Sequence, residues 1–222
     1  MRFLSLTLVL GTLLAVGVAA SPAQTATSAA CSTAKPASAG KSKPSFKKPA
    51  NVLAKGKRYA IVMDTNCGAI RIVLDRKLGG AIPNSIAFLA QKHFFDGLTF
   101  HRVVGNFILQ GGDPKGDGTG GPGYQVVGKL PSSYRYKLGD FAMAKTAIDP
   151  SGAAGSQFFV ISGPQGSQLP PDYGILGHAT DRASLTTIKR INGLSTLSCG
   201  NGQGCPPKQP VWITTARLVT LP

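Results

Sequence analysis

From residue 59 onward, hydrophobic and polar residues fall mostly into short segments with the period of strands, and helical spacing shows in only two places. Residues 59–65 and 69–75 both alternate, and Asn66-Cys67-Gly68 between them suits a tight hairpin turn. Residues 83–93 read instead as a helix, with Pro83 near the start, Ile86, Phe88, Leu89 and Phe94 as the buried stripe, and Asp96-Gly97 as the stop. Strands are predicted at 98–104 and 107–111. A Gly-rich excursion to Gly123 follows, and then further strands near 124–128, 140–144, 156–162 and 174–178. A second helix near 183–192 and a last strand over 211–219 complete the pattern. Roughly eight strands and two helices fit a mainly β fold, a closed eight-stranded antiparallel barrel capped by two α-helices.

Composition supports β-rich over helical. The chain has 222 residues with 28 Gly, 16 Pro and 15% charged residues, and all nine acids are aspartate, so glutamate, favoured on exposed helices, is missing. Three segments differ in character. Arg2 and the apolar run over residues 4–20 read as an export signal ending at Val18-Ala19-Ala20, which gives a first segment of 1–20. Residues 21–56 are Ala, Ser, Lys, Pro and Thr with few large apolar side chains, the composition of a flexible tether. The folded domain then spans 57–222.

From Cys31 to Arg58 there are eight basic residues and no acid, while the remainder carries fifteen basic residues against nine aspartates. More than half of the excess charge therefore sits between Cys31 and Arg58, which argues against a nucleic-acid groove on the fold. A basic arm on an exported chain suits anionic membrane or cell-wall polymers, and a plain solvated spacer accounts for it equally well. Cys31 after Ser28-Ala29-Ala30 loosely fits a lipidation site, although Ser28 stands where a large aliphatic residue is usual. Cys199 and Cys205 are close enough for a local disulfide, and Cys67 is either free or paired with one of them.

Several chemistries are excluded by context. Gly116-Asp117-Gly118-Thr119-Gly120-Gly121 matches a dinucleotide fingerprint, but turn and strand follow it where a helix is required. Ser156 lacks the surround of a nucleophile elbow. His93, His101 and His178 fall in three different elements, and no Cys/His cluster suggests a metal. His101 is expected to be a hydrogen-bonded residue of the barrel wall.

What remains is Arg102 on a strand, costly to bury unless its guanidinium has partners. Gln110, eight residues on, falls on the same face by parity, and Gln157 shares a face with Phe159 but not with Phe158.

These segments resemble the cyclophilin family of peptidyl-prolyl isomerases. Phe100-His101-Arg102-Val103-Val104 with Phe107 and Gln110-Gly111-Gly112-Asp113 looks like its central signature, and Gly118-Thr119-Gly120-Gly121, Ala142-Met143-Ala144 and Gly155-Ser156-Gln157-Phe158-Phe159 follow in order over about residues 58–220. The resemblance implies rotation about X–Pro bonds in unfolded or extended polypeptides, by a monomer without cofactor, with Arg102 catalytic and Phe107 and Gln110 beside it. Phe107, Ile108, Phe159, Leu169 and Tyr173 would line the proline pocket. Ala144, Lys145, Thr146, Gln157 and Gly118 would form the groove for the residues before proline. Lys145 stands where relatives often have asparagine, and Gln168 where a tryptophan is associated with tight cyclosporin binding. The competing reading is a catalytically weak protein that binds peptides or the cell envelope.

Overall fold

The computed structural model describes residues 30–199 and 204–222. The export signal expected over 1–20, and the tether as far as residue 29, lie outside them. In chain order the elements are β1 (Arg58–Thr65), β2 (Gly68–Leu74), α1 (Ile82–Gln91), β3 (Arg102–Val104), β4 (Ile108–Gly111), β5 (Val126–Val127), β6 (Asp140–Met143), β7 (Ala153–Ala154), β8 (Phe158–Ile161), a 3-10 turn (Pro164–Gln168), β9 (Ile175–His178), α2 (Arg182–Asn192) and β10 (Ile213–Leu221). Among the described residues no helix is long and apolar enough to cross a membrane.

Eight strands form one antiparallel sheet in the order β10-β1-β2-β9-β6-β8-β4-β3. The expected closed barrel is therefore corrected to an open sheet, because its edge strands β10 and β3 never pair with each other. The predicted strand over 98–104 explains the gap. Only its last three residues join β4, while Thr99 and Val103 make isolated bridges to Trp212 and Cys205. The strand expected near 124–128 contributes only β5, which pairs with β7 in a separate two-stranded sheet.

Alternate side chains point to opposite faces of the sheet, and both faces are apolar. On one, Val103, Leu109, Phe141, Phe158 and Val160 join the main core beneath Ile86 and Leu89 of α1 and Ile188 and Ile191 of α2. The other carries a second cluster of Ile108, Ala142, Phe159, Ile161 and Ile175 with Tyr136. Both helices start and stop on local signals. Proline lies in the first turn of α1, and His93 beyond its end takes a left-handed φ of 54°. Asp181 caps α2 by accepting from the Ser184 N–H at 2.9 Å, and Lys189 and Arg190 sit in its last turn, where the helix dipole favours cations.

From Ala30 onward the tether departs from expectation. Cys31 is disulfide-bonded to Cys67, so its sulfur is not available for lipidation, and Cys67 is neither free nor paired with Cys199 or Cys205. Those two bond to each other, in line with the local pairing read from their spacing. Residues 30–57 run along the domain as a strap. Ser32 N–H donates to Asn66 O at 2.7 Å, Phe46 packs edge-on against Phe88, and Asn84 accepts from Val52 N–H at 2.9 Å. Composition hid this, since one cysteine and one phenylalanine provide anchors that a low mean hydropathy does not register.

Candidate functional site

The residues singled out by sequence converge through the sheet register. Arg102 is paired with Gln110, Gln110 with Phe159, Phe159 with Ala142 and Ala142 with Ile175, so five residues from five strands form one transverse row. Members of such a row share a face, here that of the second cluster. Arg102 and Gln110 do not lie on one strand, as simple parity supposed. A hairpin turn at Gly105-Asn106, with Asn106 at φ 58°, folds β3 and β4 together and sets them opposite each other.

The Arg102 guanidinium donates through Nη1 to Gln110 Oε1 at 2.9 Å. Gln110 Nε2 donates to Gln157 Oε1 at 3.1 Å, and Gln157 Nε2 donates to the carbonyls of Gly118 and Gly120, each at 2.9 Å. Each amide spends its oxygen on one neighbour and its nitrogen on the next, so the chain fixes which way both glutamines point. Half-burial pushes the Arg102 pKa down, yet guanidinium remains charged at any relevant pH.

Ile108 and Phe159 are buried on the sheet face that Arg102 shares, and Phe107, Leu169 and Tyr173 are half-buried in the same cluster. The Phe159 and Tyr173 rings meet edge to face with centroids 5.2 Å apart. All five residues expected to line an apolar pocket thus lie in one cluster. The groove residues Gly118, Ala144, Lys145, Thr146 and Gln157 line an adjoining cavity of about 640 Å³, with Gln110 at its margin.

Asp172, Asp149 and Tyr136 also hold this wall and gave no signal in the sequence. Lys145 Nζ pairs with Asp172 at 2.8 Å and stands 5.6 Å from the centre of the Tyr173 ring. Asp149 accepts from the N–H and hydroxyl of Thr146 at 2.8 and 2.7 Å, and those bonds hold its carboxyl below the usual range. The Tyr136 hydroxyl donates to Tyr173 O and accepts its N–H at 3.1 Å. Ser156 is fully buried and donates to Gly112 O at 2.8 Å, a structural role. His101 is buried, but neither ring nitrogen has a hydrogen-bond partner among the described residues, contrary to the expected satisfied histidine. The Gly116–Gly121 stretch leads into turn and β5, not a helix. Among the described residues no group of three or more His, Cys, Asp or Glu is placed to hold a metal.

An eight-stranded antiparallel sheet with two capping helices and an arginine–glutamine pair on the face of an apolar cluster places the protein in the cyclophilin-like class. Residues 60–218 match the family described as cyclophilin type peptidyl-prolyl cis-trans isomerase/CLD. The chain is 36% identical over 174 residues to a probable peptidyl-prolyl cis-trans isomerase B of Mycobacterium tuberculosis, covering 72% of this chain and 54% of that protein. It therefore spans about half the length of that relative. A peptidyl-prolyl cis-trans isomerase of Synechococcus elongatus is 35% identical over 139 residues, covering 62% of this chain and 92% of the relative. A cyclophilin type isomerase of Cryptosporidium parvum, crystallised in the presence of the dipeptide Ala-Pro, has the same fold, with a TM-score of 0.62 and 24% identity over 72% of this chain and 98% of that one. The chain belongs to the cyclophilin-type peptidyl-prolyl cis-trans isomerase family.

Proposed function

We propose that this protein catalyses rotation about X–Pro peptide bonds in unfolded or extended polypeptides, with Arg102 as the catalytic residue, Phe107 and Gln110 beside it, and the cluster around Phe159 holding the proline ring. The observation that carries the reading is the placement of a charged guanidinium, fixed by Gln110, on the same sheet face as an apolar cluster. An X–Pro bond resists rotation by roughly 18–20 kcal/mol because the nitrogen lone pair is shared with the carbonyl. As the bond twists, that nitrogen becomes pyramidal and able to accept a hydrogen bond, so Arg102 donates to the twisted state far better than to the planar one. A 10⁵-fold acceleration needs about 7 kcal/mol of such differential binding. One charged hydrogen bond contributes about 1.5–3 kcal/mol. The remainder falls to the pocket, which holds the ring while the preceding carbonyl swings, and to polarity already oriented before substrate arrives.

Replacing Arg102 with alanine tests the assignment. The variant keeps the fold and loses most of its activity on an X–Pro peptide in a coupled assay, and isomerisation at the wild-type rate would remove Arg102 from the mechanism. Export is part of the proposal, supported by the two disulfides. The exposed cations Lys35, Lys41, Lys47, Lys48, Lys55 and Lys57 support contact with an anionic membrane or cell-wall surface.

A further inference from the structure

The family match begins at residue 60, yet the strap before it reaches the wall of the groove. We propose that residues 41–53 are a positioning element for the Gly118–Gly123 wall and, through it, for Arg102. This rests on the isomerase reading of the groove given above.

The contacts form a continuous path. Phe46 N–H donates to Pro122 O at 2.8 Å, while its ring stands on Phe88 of α1 with centroids 5.0 Å apart. Strap and wall touch so closely at Gly123, where φ is +91°, that a Cβ there would lie 2.1 Å from Ser45 Oγ. From Pro122 the wall runs back to the carbonyls of Gly120 and Gly118, which orient Gln157, which orients Gln110, which accepts from Arg102.

The wall needs such support. It contains Gly118, Gly120, Gly121 and Gly123, each with unusual backbone freedom to lose. Asp113 secures its first half by accepting from the Lys115 and Gly118 N–H groups at 2.8 and 2.5 Å. The second half leans on the strap. The strap in turn is pinned on both sides of Phe46. Lys43 Nζ donates to Asp96 O, and Asn84 accepts from Val52 and Leu53 N–H at 2.9 and 3.3 Å while donating to Ala50 O at 2.9 Å. Both ends are also covalently tied to one hairpin, through Cys31–Cys67 and through the entry into β1.

The test compares full-length wild type with Phe46→Ala, Phe46→Leu and Asn84→Ala, at a temperature where circular dichroism shows each one folded. The substrate is an Ala-Ala-Pro-Phe tetrapeptide. Phe46→Ala and Asn84→Ala lower kcat/KM about threefold to tenfold, the scale of one net hydrogen bond. KM rises because the wall meets the residues before proline, kcat falls because Arg102 is held less firmly, and Phe46→Leu restores both. Asn84→Ala serves if Phe46→Ala does not fold. Folded variants with wild-type kcat and KM overturn the proposal, since a strap that only adds stability lowers the melting temperature and leaves both constants alone. If wild type itself does not isomerise the peptide, the isomerase reading fails, and the strap is judged by the NMR resonance of the Gln157 side-chain amide. A displaced resonance in Phe46→Ala upholds the strap, and an unmoved one sinks it.

Discussion

Replacing Cys31 and Cys67 together with alanine removes a bridge between residues 36 apart in sequence. In the chain-entropy account, opening a loop of that size releases about 4 kcal/mol of denatured-state entropy at 25 °C. The stabilisation is realised only if the native state already holds the two ends together. A bridge hung on a flexible tether would restrain folded and unfolded chains alike and contribute almost nothing. Cys31 is 7% and Cys67 2% exposed, and Ser32 and Asn66 bond around them, so the packed strap predicts nearly the full value. At about 2–4 °C per kcal/mol for a chain of this size, the double variant melts roughly 10 °C below wild type. The same account gives about 2 kcal/mol for Cys199–Cys205, whose separation is 6, so its removal costs roughly half as much. Urea melts under oxidising conditions measure both, with an unchanged slope showing that the transition is the same one. If the Cys31→Ala, Cys67→Ala chain unfolds at the wild-type midpoint, the strap is a tether after all and the positioning proposal loses its foundation.

Two further outcomes follow from ion pairs. His178 lies between Asp140 at 2.8 Å and Asp75 at 3.1 Å, with Tyr134 donating to Asp140, and the Asp140 bond raises the imidazole pKa above its ordinary 6.5. A raised folded-state pKa gives stability that is complete below pH 6.5 and lost as pH climbs through the higher value. His178→Gln therefore flattens the decline in melting temperature between mildly acidic and alkaline buffer, and an equally steep decline in the variant would assign it to other groups. Lys145→Asn leaves Asp172 without its ion pair, so the groove turns more negative. Activity on an uncharged peptide stays within about threefold because the Ala144–Gln157 backbone bond persists. The kcat/KM ratio for aspartate over lysine before proline falls, and an unchanged ratio would mean that Lys145 does not face the substrate.

Much of the fold was legible because local patterns and tertiary packing agreed. The hairpin of β1 and β2, both helices and β10 fell within a few residues of their predicted places, since each has a strong period and its own turn or cap. The site was legible in part. Arg102, Gln110 and Gln157 announced themselves as polar side chains among apolar strands. Their alignment depended on the β4–β8 register, which is a long-range property and not a spacing. Asp172 and Tyr136 gave no warning, because nothing near them in sequence shows which surface they face. The strap was misjudged for a related reason. Average composition described residues 30–56 as soluble chain, and the decisive contacts came from Cys31, Phe46 and backbone groups that meet partners far along the sequence. Closure failed because residues 98–100 pair with residues 211–213 outside the main ladder, which period-two alternation does not distinguish from membership in it.

The open sheet leaves the strand bearing Arg102 at an edge, where an extended chain could zip on by backbone pairing. Only Val103 is a middle residue of that three-residue strand, and its N–H is already taken by Cys205 O at 2.9 Å. Gly204 presses so close that a Cβ would lie 2.3 Å from Val104 Cγ2. The segment that begins at Gly204 thus covers this edge. For a protein whose proposed clients are themselves extended polypeptides, it closes a route to unwanted strand addition beside the groove and leaves the side-chain pocket as the point of engagement.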